Sequence, residues 1–192
     1  MSQINRRLGT PPSLRGSVSG QNCPDIFELT DGNFAVIGTD ATETLEALLP
    51  ADATRGEDGR IVLLTRETLI YAKADIPLIT PSLDTQRLLP GAAPSGVAET
   101  RPAPEPAYRE GRQQVKIERR LGVPPQKRGS LTGQTCPDIF ELSDGSFAVI
   151  GTEATETLDQ ELPADAARAD YERIVVISRE TLVRAKADIP DL

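Results

Sequence analysis

The chain has 192 residues and a formal net charge of −8, with 29 acidic side chains against 21 basic ones and no histidine. Such a charge balance gives no bulk attraction to nucleic acid or to an anionic membrane, and the missing imidazole removes Ser-His-Asp, Cys-His and histidine-bearing zinc chemistry. Two cysteines, Cys23 and Cys136, are too few for a disulfide-stapled secreted fold and form no Cys-x-x-Cys motif, so they read as structural thiols.

In chain order, the first 77 residues introduce a pattern that the last 76 repeat. Ile4 to Pro77 aligns without a gap on Ile117 to Pro190, with roughly 70% of positions identical. Each copy opens on a basic arm, Arg6, Arg7 and Arg15 in the first and Arg119, Arg120, Lys127 and Arg128 in the second. Gly16 to Gly20 reads as a loop, since it lacks the lysine of a phosphate-binding glycine motif. Next, Ile26 to Leu29 and Phe34 to Gly38 flank an Asp-Gly turn and predict a hairpin, with Gly32 and Gly145 supplying positive φ. Phe34 to Ile37 is apolar on both sides, as in a strand covered on both faces.

Asp40-Ala41-Thr42-Glu43 predicts a capping box followed by a short helix. Ala41, Leu45 and Leu49 share its inner face, and Pro50 ends it. Arg60 to Leu64 predicts a buried strand, and Thr65 (Ser178 in the second copy) a cap on a last helix from Arg66 to about Ala74. Leu69, Ala72 and Ile76 should point inward and Tyr71 outward. The expected fold class is therefore α+β: a tandem duplication of a small ββαβα domain with a three-stranded mixed sheet, two helices and a right-handed crossover. The domains are residues 4–77 and 117–190. The proline-rich stretch 78–116 between them reads as a flexible linker, leaving the copies to pair with one another or to act separately.

The duplicate also tests burial, because a position that accepts unlike chemistry in two similar copies lies outside the core. Leu48 is Glu161 in the second copy and Tyr71 is Arg184, so both positions are expected to be exposed in both copies, with Leu48 and Tyr71 offering a contact patch absent from the second copy.

Carboxylates are plentiful, but Asp31 belongs to the turn, Asp40 and Glu43 to a cap and Glu67 to a first helical turn. Glu28 lacks such a role and is expected on a solvated strand edge. The Cys-Pro-Asp-Ile-Phe start, the Asp-Gly-Asn-Phe-Ala-Val-Ile-Gly turn and strand, and Arg-Ile-Val-Leu-Leu-Thr-Arg-Glu-Thr-Leu resemble small uncharacterised actinomycete proteins. The resemblance covers residues 20–77 and again 133–190. It implies a companion of helix-turn-helix regulators and hence a protein partner, although the pattern here is in tandem.

These features lead to a non-enzymatic, bivalent protein-interaction or regulatory module without a cofactor or metal. Leu48, Tyr71, Arg6 and Arg7 are its candidate interaction surface. The alternative is a small-ligand-binding protein or enzyme with a site between the repeats, lined by carboxylates such as Glu28 and Glu141 or by the two thiols. Nucleic acid is the least favoured partner, since contact through the arginine arms would require a clustered basic surface. The chain lacks both a run of about 18 apolar residues and a basic start followed by an apolar stretch, so a cytoplasmic location is expected.

Overall fold

The structure, a computed structural model, describes residues 2–11, 14, 24–53, 55–78, 115–124, 127 and 137–191. Cys23, Cys136, Arg15, Arg128 and residues 79–114 of the expected linker lie outside the described residues. Met1–Leu78 and Val115–Leu192 cluster together as one compact unit. The fold is mixed α and β, with eight strands in one antiparallel sheet and four short helices.

The first repeat runs β1 (Ile4–Leu8), β2 (Asp25–Leu29), β3 (Phe34–Asp40), α1 (Thr42–Leu45), β4 (Gly59–Leu64) and α2 (Arg66–Ala72). The second follows the same order with β5 (Ile117–Leu121), β6 (Asp138–Leu142), β7 (Phe147–Glu153), α3 (Thr155–Leu158), β8 (Glu172–Ile177) and α4 (Arg179–Ala185). The expected ββαβα order thus lacked one strand per repeat. The basic arm is β1, antiparallel to β2 with a register shift between Ile4 and Arg6. Only two of its five residues are apolar, so alternation gave no signal.

The hairpin forms as expected. Gly32 has φ +84° and Gly145 φ +82°. The Gly32 N–H donates to the Leu29 carbonyl and the Leu29 N–H to the Asn33 carbonyl, each at 2.9 Å, which describes a three-residue loop closing on a left-handed glycine. Thr65 and Ser178 cap α2 and α4 by accepting from the N–H groups of Thr68 and Thr181. The expected capping box before α1 is an Asx-type turn instead. Asp40 Oδ1 accepts from the Thr42 N–H at 3.0 Å and its hydroxyl at 2.7 Å. That turn leads into a single helical turn, which passes into a 3-10 turn at Glu46–Leu48.

The three-stranded mixed sheet is not what the chain builds. β3 meets β4 of its own repeat only at Thr39 and Asp40. Over its length, Phe34 to Thr39, it pairs antiparallel with β8 of the other repeat. β4 pairs in the same way with β7. β7 in turn touches β8 at Thr152 and Glu153. The four inner strands therefore close a circuit, β3 to β4 to β7 to β8 and back, and no parallel crossover is needed. Three short strands alone would leave a long apolar edge unpaired, and exchanging the last strand of each repeat covers both edges.

Glycine permits the closure. A Cβ at Gly38 would collide with the Leu63 carbonyl of β4, and one at Gly151 would lie 2.7 Å from the Val176 carbonyl of β8. β3 and β4, and equally β7 and β8, approach at backbone contact where the circuit turns.

Side chains alternate across this sheet. Phe34 and Val36 of β3, Val62 and Leu64 of β4, and their counterparts Phe147, Val149, Val175 and Ile177 form one cluster with Leu69, Ala72 and Ile76 of the α2 segment. On the opposite face the repeats are interleaved. Leu45 of α1 packs on Phe140, Leu142, Ala148 and Ile150 of the second repeat. Leu158 of α3 packs on Phe27, Leu29, Ala35 and Ile37 of the first. Neither repeat closes its own core. The inward residues of α2, Leu69, Ala72 and Ile76, are buried as expected.

Because the cores are shared, the two repeats should unfold in one calorimetric transition with no separate melting of either half. Gly38→Ala should lower stability by roughly 2–3 kcal/mol through overpacking at the closure, measured by urea denaturation.

Candidate functional site

The residues singled out from sequence fall into two groups, and both surround the seam between the repeats. Leu48 is 44% exposed, at the end of the 3-10 turn that continues α1, and Tyr71 is 36% exposed on α2. Glu161, at the position of Leu48 in the second repeat, is likewise exposed, whereas Arg184, at that of Tyr71, is half-buried and donates to Glu180 at 2.6 Å, against the expectation of exposure in both copies. Leu48 and Tyr71 do not share a surface. Ile61 of β4 packs with α1 while Val62 and Leu64 pack with α2, so the two helices lie on opposite faces of the sheet. Leu48 borders a groove of about 360 Å³ with Pro50, Ile117, Arg119 and the buried Phe140. A first-repeat side chain and a second-repeat strand thus form one concave surface of mixed character, in which Glu118, Arg119 and Arg120 stand beside the apolar side chains.

Arg6 and Arg7 are held within the molecule. Arg6 Nε donates to Glu28 at 2.7 Å. Arg7 stacks 5.2 Å from the Phe27 ring centroid and donates through Nε to Asp25 at 2.9 Å. Its fork bridges to Asp165 of the other repeat at 2.7 and 2.9 Å. Arg120 does the same in the opposite sense, with Phe140, Asp138 and Asp52. These are bidentate, half-buried pairs, the geometry in which a guanidinium is bound most firmly. Arg7 therefore has little left to offer an outside partner, whereas Arg6 stays 44% exposed at its side chain.

Glu28 is not on a solvated edge, because β2 lies between β1 and β3. Its carboxylate accepts from Arg6 of its own repeat and from Arg179 Nη1 of the other at 2.9 Å. Glu141 accepts from Arg119 at 2.6 Å and from Arg66 across the seam at 3.0 Å. For both, burial pushes the carboxyl up, and the two arginines together outweigh it and hold it below the usual range. The strands β3, β4 and β7 separate β2 from β6 along the sheet, so the two carboxylates do not converge.

A second concavity, about 470 Å³, opens where β4 and β8 begin. Arg60 comes from the first repeat, and Glu153, Thr155, Glu156, Arg168 and Arg173 from the second. Arg168 is committed to Asp159 at 2.7 Å. Arg60 stands 3.4 Å from Glu153 and Arg173 stands 3.8 Å from Asp40, both longer than a charge-assisted hydrogen bond. Sequence reading missed this cleft, since Arg60 and Arg173 appeared only as strand starts more than a hundred positions apart.

Beside it, Glu172 replaces the Gly59 of the first repeat. Its side chain is buried, and burial raises its carboxyl against the opposing effects of the Ala169 N–H, which donates to it at 2.7 Å, and of Arg168. No helix among the described residues is long and apolar enough to cross a membrane. No family model matches the chain, and comparison with curated proteins and with solved structures returns no match.

The seam carboxylates predict the response to acid. Glu28, Glu141 and Asp165 have folded values below their unfolded ones. Their stabilisation is complete above the ordinary carboxylate range and disappears as pH falls through the folded values. Glu172 has the opposite sign and costs stability as pH rises through its raised value. The melting temperature should therefore drop between pH about 5 and about 3, and Glu28→Gln with Glu141→Gln should flatten that drop. Glu172→Gln should raise the melting temperature at neutral pH. Arg120→Ala, which strips the guanidinium from buried Asp138, should cost roughly 2–4 kcal/mol in urea denaturation.

Proposed function

We propose that this chain is a non-enzymatic protein-interaction or regulatory module of the cytoplasm, a duplicated unit closed on itself as a covalent pseudo-dimer. The observation that carries the reading is the groove at Leu48. An exposed leucine stands there beside a concavity that both repeats supply, lined by Pro50 and Ile117 and by the charged Glu118, Arg119 and Arg120, and the equivalent position in the second repeat is a glutamate. Exposed apolar surface rimmed by charge is a usual contact site for another protein, with an apolar anchor of the partner filling the groove. The resemblance noted above makes a helix-turn-helix regulator the first partner to test. Bivalency in this reading belongs to faces on one body, since the repeats share a sheet and their cores.

The carboxylate and arginine findings support this reading over its rivals. Glu28 and Glu141, which a hydrolytic or metal site would use, are each held by two guanidinium groups. Arg6, Arg7, Arg119 and Arg120, which a nucleic-acid arm would use, are each paired to a carboxylate. A second reading rests on the cleft at Arg60 and Arg173, whose guanidinium groups make no short pair with a carboxylate, although Arg173 Nη1 donates to the Asp170 and Glu172 carbonyls at 2.8 and 3.0 Å; such groups suit a small molecule carrying a carboxylate or phosphate. That alternative keeps a ligand between the repeats, in a cleft lined by arginines together with Glu153 and Glu156 rather than by Glu28, Glu141 or the thiols.

Leu48 and Tyr71 lie on opposite faces, so single variants separate them. Tagged wild-type chain, Leu48→Glu and Tyr71→Arg should be compared in quantitative pull-downs from the native host. The expected outcome is a protein retained by wild type and Tyr71→Arg and reduced about tenfold or more with Leu48→Glu, as befits loss of a buried apolar anchor. Equal capture by all three would remove the groove as the contact site. For the second reading, titration with inorganic phosphate at constant ionic strength should give saturable amide shifts around Thr155 that Arg60→Gln weakens; unsaturable shifts would reject it.

A further inference from the structure

Most of the contacts that join the two repeats are made twice, once in each direction; the Lys73–Asp191 pair and the Arg179 N–H to Asn33 bond are made once, since Leu78 and Ser146 stand at the equivalent positions. β3 pairs with β8 from Phe34↔Ile177 to Thr39↔Glu172. β4 pairs with β7 from Leu64↔Phe147 to Gly59↔Thr152, the same register with the repeats interchanged. Arg7 clasps Asp165 as Arg120 clasps Asp52. Glu28 takes Arg179 as Glu141 takes Arg66. Lys73 donates to the Ile189 carbonyl at 2.6 Å, and Lys186 donates to the Ile76 carbonyl at 2.5 Å. The surface that repeat one offers is therefore the surface it needs, which is the condition for an isologous two-fold contact.

Differences between the copies do not break this. Across the exchanged strand, Leu63 and Leu64 become Val176 and Ile177, apolar for apolar. The charged residues named above are identical in the two repeats: Arg7 and Arg120, Glu28 and Glu141, Arg66 and Arg179, Asp52 and Asp165, Lys73 and Lys186. Among these contacts, nothing distinguishes a repeat of the same chain from the corresponding repeat of another. Covalent linkage favours the internal partner by holding it at an effective concentration of roughly millimolar, and the one-sided Lys73–Asp191 pair, with Asp191 89% exposed at its side chain, adds little to that preference.

We infer that the seam is a general pairing surface whose partner class is a second copy of this repeat, so that a repeat released from its neighbour pairs with its like through the same exchanged strand. This inference concerns the seam and not the Leu48 groove, and stands or falls separately from the proposed function.

The test uses the full chain with a protease site inserted between residues 79 and 114. The folded chain is cleaved, unfolded in urea, refolded, and its complexes are weighed by native mass spectrometry. Random pairing of equivalent surfaces should yield complexes of one-one, one-two and two-two type in a ratio of about 1:2:1. Exclusive one-two pairing, or refolding to isolated halves, would overturn the inference.

A charge exchange, Arg66→Glu with Glu141→Arg, gives a second readout. In the one-two pair the exchanged charges still face each other as opposites, while one-one pairing sets Glu28 against the new glutamate and two-two pairing sets Arg179 against the new arginine. Like pairs should therefore fall several-fold relative to the unmodified chain. An unchanged ratio would show that like pairs do not use this seam.

Discussion

β3 pairs along one edge with β2 of its own repeat and along nearly all of the other with β8 of the second repeat, and the rest of the molecule follows from that second edge. Six consecutive residues pair with β8, while only Thr39 and Asp40 reach β4. A strand as apolar as Phe-Ala-Val-Ile-Gly needs both faces covered and both edges paired. A repeat with two hairpin strands, an arm strand and two one- or two-turn helices cannot do both. Exchange of β4 and β8 supplies the second edge to each hairpin and brings α1 and α3 over the neighbour's strands. The closed circuit is then possible only where Gly38 and Gly151 let backbones touch.

The ion pairs follow from the same exchange. Once the repeats interleave, Arg7 of β1 and Arg120 of β5 find two carboxylates each, one at home and one across the seam. Glu28 and Glu141 find two arginines by the same logic. Exposed single pairs contribute little, but these are shared between three groups, and Arg7 and Arg120 are also stacked on phenylalanine, which limits both solvent screening and the entropy of ordering. They orient the repeats as well as holding them. Residues that resembled a free basic arm and a spare acid in the sequence are thus part of the scaffold.

Differences between the repeats fall both at the surface and inside, where Leu64 stands against Ile177 and Gly59 against the buried Glu172. Leu48 against Glu161 and Tyr71 against Arg184 lie outside the shared cores, whereas Gly59 against Glu172 lies where the exchanged strand begins. A fold with near two-fold symmetry can hold one function on one side only through such substitutions. The groove beside Leu48 and the arginine cleft beside Glu153 are each built by both repeats and each lined unequally.

Much of the local structure was legible. The hairpin with its positive-φ glycine, the Thr65 cap, the inward residues of α2 and the exposure of Leu48 and Tyr71 depend on interactions a few residues apart or on comparison of the two copies. β1 was not legible, because a strand with two adjacent arginines shows no alternation until carboxylates from β2 and from the other repeat are placed opposite them. Nor was the pairing of the last strand. The apolar run Ile61 to Leu64 states that β4 is buried, and states equally well that it could lie beside β3 or beside β7. Local sequence determined which segments are strands, turns and helices, since dihedral preference and capping act over a few residues. Tertiary structure alone decided which repeat each last strand joins, because that choice rests on edges and cores that exist only after both repeats have come together.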